Sequence, residues 1–156
     1  MGNEFPGTGK LDQAIQLASK LHSGQSYGTL PYIFHPFRVA TRLIEDYLIE
    51  DHDVLAAAIL HDVIEDTDVT IPLIMADFGT RIAQMVHLLT KEDDGEPYQK
   101  YISHIASHRL VGLIKRCDLL DHLSHAPKPS LIGRYEAALR KLEYTGRLPK
   151  HERGRT

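Results

Sequence analysis

Apolar residues recur three and four positions apart along nearly the whole chain, and no run of strict two-residue alternation is long enough to build a strand. That periodicity predicts an all-α chain. Leu11, Ala14, Ile15, Ala18 and Leu21 give a first helix over residues 11–22, which Ser23-Gly24 stops. Residues 25–31 read as a loop punctuated by Gly28 and Pro31. A second helix is expected after His35, with Pro36 in its first turn and Val39, Leu43, Ile44 and Tyr47 on its way. A third is expected over residues 53–65, capped by Asp51 or Asp53; Leu55-Ala56-Ala57-Ala58-Ile59-Leu60 is apolar on almost every side, so this helix is central and buried. Further helices are expected over residues 71–78, 81–89, 98–107, 110–124 and 130–144, with Gly79 and the polar stretch 92–97 as breaks.

With 156 residues the chain has room for one core, read here as a single helical bundle over residues 1–146 and a short basic tail over 147–156. No apolar run approaches the roughly 20 residues a bilayer span needs. The start, Met1-Gly2-Asn3-Glu4-Phe5-Pro6, carries no export or myristoylation pattern, and Cys117 is the sole cysteine, so a reducing cytoplasm is the expected compartment. Gly7-Thr8-Gly9-Lys10 has a phosphate-loop look but is followed by Leu11 and preceded by no strand, and is set aside.

Charge is unevenly spread. Residues 1–97 carry 6 Lys/Arg against 16 Asp/Glu, and the remainder carries 12 against 5. The overall charge of −3 argues against general nucleic-acid binding. Between Leu43 and Thr80 there are ten carboxylates and no Lys or Arg. Glu45 to Asp53 read as a solvated face, whereas the later acids ask for a cation from elsewhere.

Those later acids lie in His61-Asp62-Val63-Ile64-Glu65-Asp66-Thr67, at the end of the most apolar helix. Neighbours on a helix diverge by about 100°, so His61 and Asp62 can hold one ion from adjacent angles, with Glu65 and Asp66 one turn further on. Carboxylates at a helix C-terminus face the negative end of the macrodipole at a cost of about 0.3–1 kcal/mol each. A divalent cation would offset that cost, while a fringe of exposed acids is the plainer alternative. Two more residues fit as ligands. His35 is fixed beside Pro36, and Asp118 interrupts the apolar run 113–120, where a buried carboxylate needs a partner, either an ion or a salt bridge. Two imidazoles and two carboxylates suit Mn²⁺, Fe²⁺, Co²⁺ or Zn²⁺ rather than a thiolate zinc site, and Cys117 is read as core.

His35, His61-Asp62, Glu65-Asp66-Thr67 and Asp118, together with Gly24-Gln25, Pro31-Tyr32-Ile33, Phe78-Gly79 and Leu89-Thr90-Lys91, resemble the H…HD…D pattern of the HD-domain metal-dependent phosphohydrolases. Within them the chain is similar to the hydrolase domain of the RelA/SpoT alarmone enzymes and their small stand-alone relatives. The resemblance implies an all-helical fold and one divalent ion, Mn²⁺ in the first place, held by His35, His61, Asp62 and Asp118. It also implies an acidic pair, Glu65 and Asp66, that activates or positions water, and a small nucleotide substrate such as ppGpp, cleaved at its 3′-pyrophosphate. Lys115, Lys91 and Arg116 are the cations available to phosphates, and His122, one turn from Asp118, is a candidate substrate contact.

The chain departs from that family at two points. The loop 25–31 lacks the Arg-Lys pair that packs on guanine, leaving Tyr27 to stack on a base, and His122 stands where a nucleotide-contacting Asn is usual. The metal centre is therefore expected and the base identity is left open. The alternative function is a non-catalytic scaffold of the same fold that binds a nucleotide or a partner protein. Oligomeric state is not addressed by the sequence.

Overall fold

The computed structural model describes residues 9–125 and 127–143, so the tail expected over 147–156 lies outside the described residues. Helices dominate: α1 (Lys10–Leu21), α2 (Phe34–Tyr47), α3 (His52–Ile59), α4 (Val63–Asp66), α5 (Ile71–Phe78), α6 (Thr80–Leu89), α7 (Tyr98–Ala106), α8 (Arg109–Ser124) and α9 (Pro129–Leu142). The central position of α3 follows from its sequence. Val54 to Leu60 are all buried, and the helix lies against α1, α2 and α6. Three consecutive alanines on it let those neighbours approach closely. Asp51 is its N-cap and accepts a hydrogen bond from Asp53 N–H at 3.0 Å. The outer bundle is closed by α8 against α2, α7 and α9. Gly79 turns α5 into α6 at φ +85°, a conformation that suits glycine alone. Among the described residues no helix is long and apolar enough to cross a membrane.

Two expectations are corrected. The loop 25–31 holds a minimal antiparallel ladder, β1 (Ser26–Tyr27) with β2 (Leu30–Pro31), too short to carry a two-residue alternation that could be read. The helix expected over 53–65 breaks at Leu60-His61-Asp62, where Leu60 and Asp62 have ψ of 2° and −3°. There the His61 ring Nδ1–H donates to the Ala58 carbonyl at 2.7 Å, and Val63 N–H turns back to the Leu60 carbonyl at 3.1 Å. The ring thus takes an acceptor at the end of α3 as the chain turns, and α4 starts afresh with Asp62 as its N-cap. Glu65 and Asp66 therefore belong to a separate single turn, not to the C-terminus of a long helix.

Candidate metal centre

Three segments distant in sequence meet at the end of α3: the first turn of α2, the α3–α4 break and the middle of α8. His35 Nε2 lies 3.2 Å from His61 Nε2, 3.1 Å from Asp118 Oδ1 and 3.6 Å from Asp62 Oδ2. His61 Nε2 lies 3.0 Å from Asp62 Oδ2 and 3.5 Å from Asp118 Oδ1. His35, His61 and Asp118 are buried, and their ligand atoms all fall within 4.8 Å of one another. Asp62 joins through its contacts to the two imidazoles.

The hydrogen bonds on the far sides of the rings decide what this cluster wants. His35 Nδ1–H donates to Asp121 Oδ2 at 2.6 Å, and His61 Nδ1–H donates to a carbonyl that can only accept. In the neutral rings both Nε2 atoms therefore present lone pairs to the same point as the two carboxylates. Asp118 Oδ1 is buried and meets no donor in hydrogen-bond geometry. Ligand bonds of about 2.1 Å place adjacent atoms of an octahedron about 3.0 Å apart, the lower end of the 3.0–3.6 Å that separates the donors here. The donor set fits a divalent cation.

Electrostatics points the same way. Burial opposes charge on both imidazoles, yet Asp118 and Asp121 hold the His35 pKa above its usual value, and Asp62 and Asp118 hold that of His61 well above it. Burial would raise the Asp118 carboxyl, but Lys115, then His122, His35 and His61, keep it well below the carboxylate range. Lys115 Nζ sits 2.8 Å from Asp118 Oδ2, so that oxygen is neutralised and Oδ1 is left for the cluster.

Around these ligands stands a supporting layer that the sequence reading missed. Asp121 accepts from His35 and, through both oxygens, from Arg38 Nε at 2.7 Å and Nη2 at 3.0 Å. The signal was there in spacing: Arg38 follows His35, and Asp121 follows Asp118, by three residues, so the two pairs face each other where α2 packs on α8. Tyr32 hydroxyl donates to Asp62 Oδ2. Asp121→Ala is expected to leave His35 free to swing and to weaken Mn²⁺ binding about 10–100-fold, as read from the free-ion electron paramagnetic resonance signal during titration.

The other expected residues divide. Glu65 and Asp66 stand at the rim, where crowding by the protein is the largest influence and, with nearby carboxylates, raises both pKa values. Glu65 Oε1 accepts from Lys91 N–H at 2.5 Å. Lys115 is in the cluster, whereas Lys91 Nζ turns to the Glu92 carbonyl and Arg116 to the Tyr47 hydroxyl, so neither joins it. His122 Nε2 is 3.0 Å from Asp118 Oδ1, and its Nδ1 shares a hydrogen bond with the Tyr27 hydroxyl at 2.8 Å. Tyr27, expected to stack on a base, has its ring stacked on His35, centroids 4.8 Å apart and planes at 3°. Cys117 is buried, as expected. A cleft of about 680 Å³ between α6 and the start of α8 contains no carboxylate among its lining residues and none of the cluster.

Comparison with known proteins shows the family to which the chain belongs. The HD domain family matches residues 14–108, a span holding His35, His61, Asp62, Glu65 and Asp66 and ending before Asp118. The chain is 38% identical over 122 residues to the guanosine-3′,5′-bis(diphosphate) 3′-pyrophosphohydrolase of Aquifex aeolicus, covering 73% of this chain and 17% of that protein. It is 34% identical over 125 residues to the guanosine-3′,5′-bis(diphosphate) 3′-pyrophosphohydrolase MESH1 of Danio rerio, covering 74% and 68%. It thus spans about a sixth of the first relative's length and two thirds of the second's. A solved metazoan ortholog of SpoT that hydrolyzes ppGpp superposes with a TM-score of 0.76 at 28% identity, over 90% of this chain and 87% of that one. Matched by that family over residues 14–108, more than half of its length, the chain belongs to the HD-domain family.

Proposed function

We propose that this chain is a metal-dependent phosphohydrolase that removes the 3′-pyrophosphate of a ppGpp-type nucleotide. The observation that carries this reading is the convergence of His35, His61, Asp62 and Asp118 on one point, with both imidazole Nε2 atoms directed inward and Asp118 Oδ1 buried beside them. In this reading those four residues hold the ion, Mn²⁺ in the first place and Fe²⁺, Co²⁺ or Zn²⁺ as alternatives. A divalent ion there supplies Lewis acidity toward a phosphoryl oxygen and toward water.

The remaining roles belong to the chain itself. Glu65 takes the proton of the attacking water, and Asp66, one residue on, shares or orients it. Raised carboxyl pKa values bring both closer to a working general base than an ordinary Asp or Glu. The attack forms a phosphorus–oxygen bond with water and breaks the one to the ribose 3′-oxygen, which leaves with a proton. Lys115 and His122, flanking Asp118 from α8, face the phosphates in this reading. The cytoplasm is the compartment proposed, in keeping with a single buried cysteine.

Purified protein incubated with ppGpp and Mn²⁺ is expected to release one pyrophosphate and one GDP per substrate, and to stop when EDTA is added. A panel containing nucleoside monophosphates, dinucleoside phosphates and cyclic nucleotides tests the base. One observation favours the scaffold alternative: Tyr27 and His122, the two departures from the family pattern, are bonded to each other. Full loading with metal, nucleotide binding and no turnover across the panel would establish it instead.

A further inference from the structure

Asp62 is the most exposed of the four candidate ligands, with 18% of its side chain reached by solvent, so burial alone does not fix which way its carboxylate faces. Tyr32 does. Its hydroxyl donates to Oδ2, the same oxygen that lies 3.0 Å from His61 Nε2 and 3.6 Å from His35 Nε2. The phenol is itself held on several sides. Its ring lies 4.6 Å from the buried ring of His22 and edge-on to His35 at 5.7 Å. Its backbone N–H donates to the Gln25 carbonyl at 3.0 Å.

Gln25 completes a closed circuit. Its Oε1 accepts from His22 Nδ1–H at 2.8 Å, and its Nε2 donates to the Asp66 carbonyl at 3.2 Å. Asp66 N–H in turn bonds the Asp62 carbonyl at 3.0 Å. The ring of contacts Tyr32, Asp62, Asp66, Gln25 and back to Tyr32 therefore ties the hairpin loop to both ends of the single turn α4. That turn bears a candidate ligand at one end and the acidic pair at the other.

We propose that Tyr32 is a positioning residue of the metal centre, its hydroxyl aiming the Asp62 carboxylate at the ion while its backbone and ring hold the loop against α4. This rests on the phosphohydrolase reading above. Tyr32→Phe keeps the ring against His22 and removes only the donor, so the melting temperature is expected to stay at the parent value. The dissociation constant for Mn²⁺, read by electron paramagnetic resonance without substrate, is expected to rise about 10–100-fold, the range for loss of a group that orients a ligand.

Tyr47→Phe serves as a control. It removes a hydroxyl bonded to Arg116 at the other end of α2, about 18 Å along the helix, and is expected to leave Mn²⁺ binding unchanged. A double-mutant cycle separates orientation from general loosening: in an Asp62→Asn background, Tyr32→Phe should cost nothing further. Parent-like Mn²⁺ affinity in Tyr32→Phe, or an undiminished loss in the Asp62→Asn background, overturns the role of Tyr32 and leaves the phosphohydrolase reading standing. Failure of the parent itself to bind Mn²⁺ overturns both.

Discussion

Asp118→Asn is expected to release the ion and reduce phosphohydrolase turnover about 1,000-fold or more, because a bound divalent ion supplies several kcal/mol to such reactions and each 1.4 kcal/mol is a factor of ten. The variant carries a second cost that a ligand loss alone would not. Lys115 is largely shielded, with 14% of its side chain exposed and its ammonium 2.8 Å from Asp118 Oδ2, and while burial opposes its charge that carboxylate holds its pKa well above the usual value. Breaking a buried pair by removing one partner destabilises by about 3–5 kcal/mol. Urea unfolding without metal should show a large part of that loss. Lys115→Met separates the two effects: it removes the pair yet leaves Asp118 Oδ1 facing the imidazoles, so metal should stay bound while the fold loosens. Parent-like turnover in Asp118→Asn would remove this residue from the centre.

Glu65→Gln is the other large effect, and its signature is the reverse. The amide oxygen can still accept from Lys91 N–H, and Glu65 is not among the proposed ligands, so metal content by elemental analysis should match the parent. Loss of a general base removes about 10²–10⁴ in rate, which should fall on kcat with KM little changed. The pH profile carries the sign. A base must be deprotonated to act, and burial raises the carboxyls of both Glu65 and Asp66 from their ordinary values, so parent activity should fall as pH drops through those raised values. In Glu65→Gln that acid limb should move or flatten. A Glu65→Gln enzyme within threefold of the parent would reassign the proton transfer to Asp66 alone.

The helices were readable because amphipathic spacing is a local property, and α3 was readable as central because apolar residues surround it on every side. The break after Ile59 was not: Leu60-His61-Asp62 keeps helical spacing, and only the folded chain shows the His61 ring bonded to the Ala58 carbonyl. The hairpin at 26–31 escaped for the opposite reason, being too short for any period. Among the candidate site residues, His35, His61, Asp62 and Asp118 stood out as residue types that rarely stand together without a cation. Asp121, Arg38 and Tyr32 did not, because each acts through a partner brought near by tertiary packing, and an Asp or Tyr beside a helix has many ordinary uses. The stack of Tyr27 on His35 was not legible either, because eight residues separate the two in sequence and only the folded chain lays one ring on the other.

The four donors come from positions 35, 61, 62 and 118, so any ion they share ties together stretches of polymer that wander independently once the chain is denatured. Denatured chain offers no comparable trap, and an ion at a hundred times its dissociation constant adds about 2.7 kcal/mol to folding. Endurance of the protein in a cell would then follow the local supply of that ion, and starvation for the metal would thin out the enzyme itself as well as idle it.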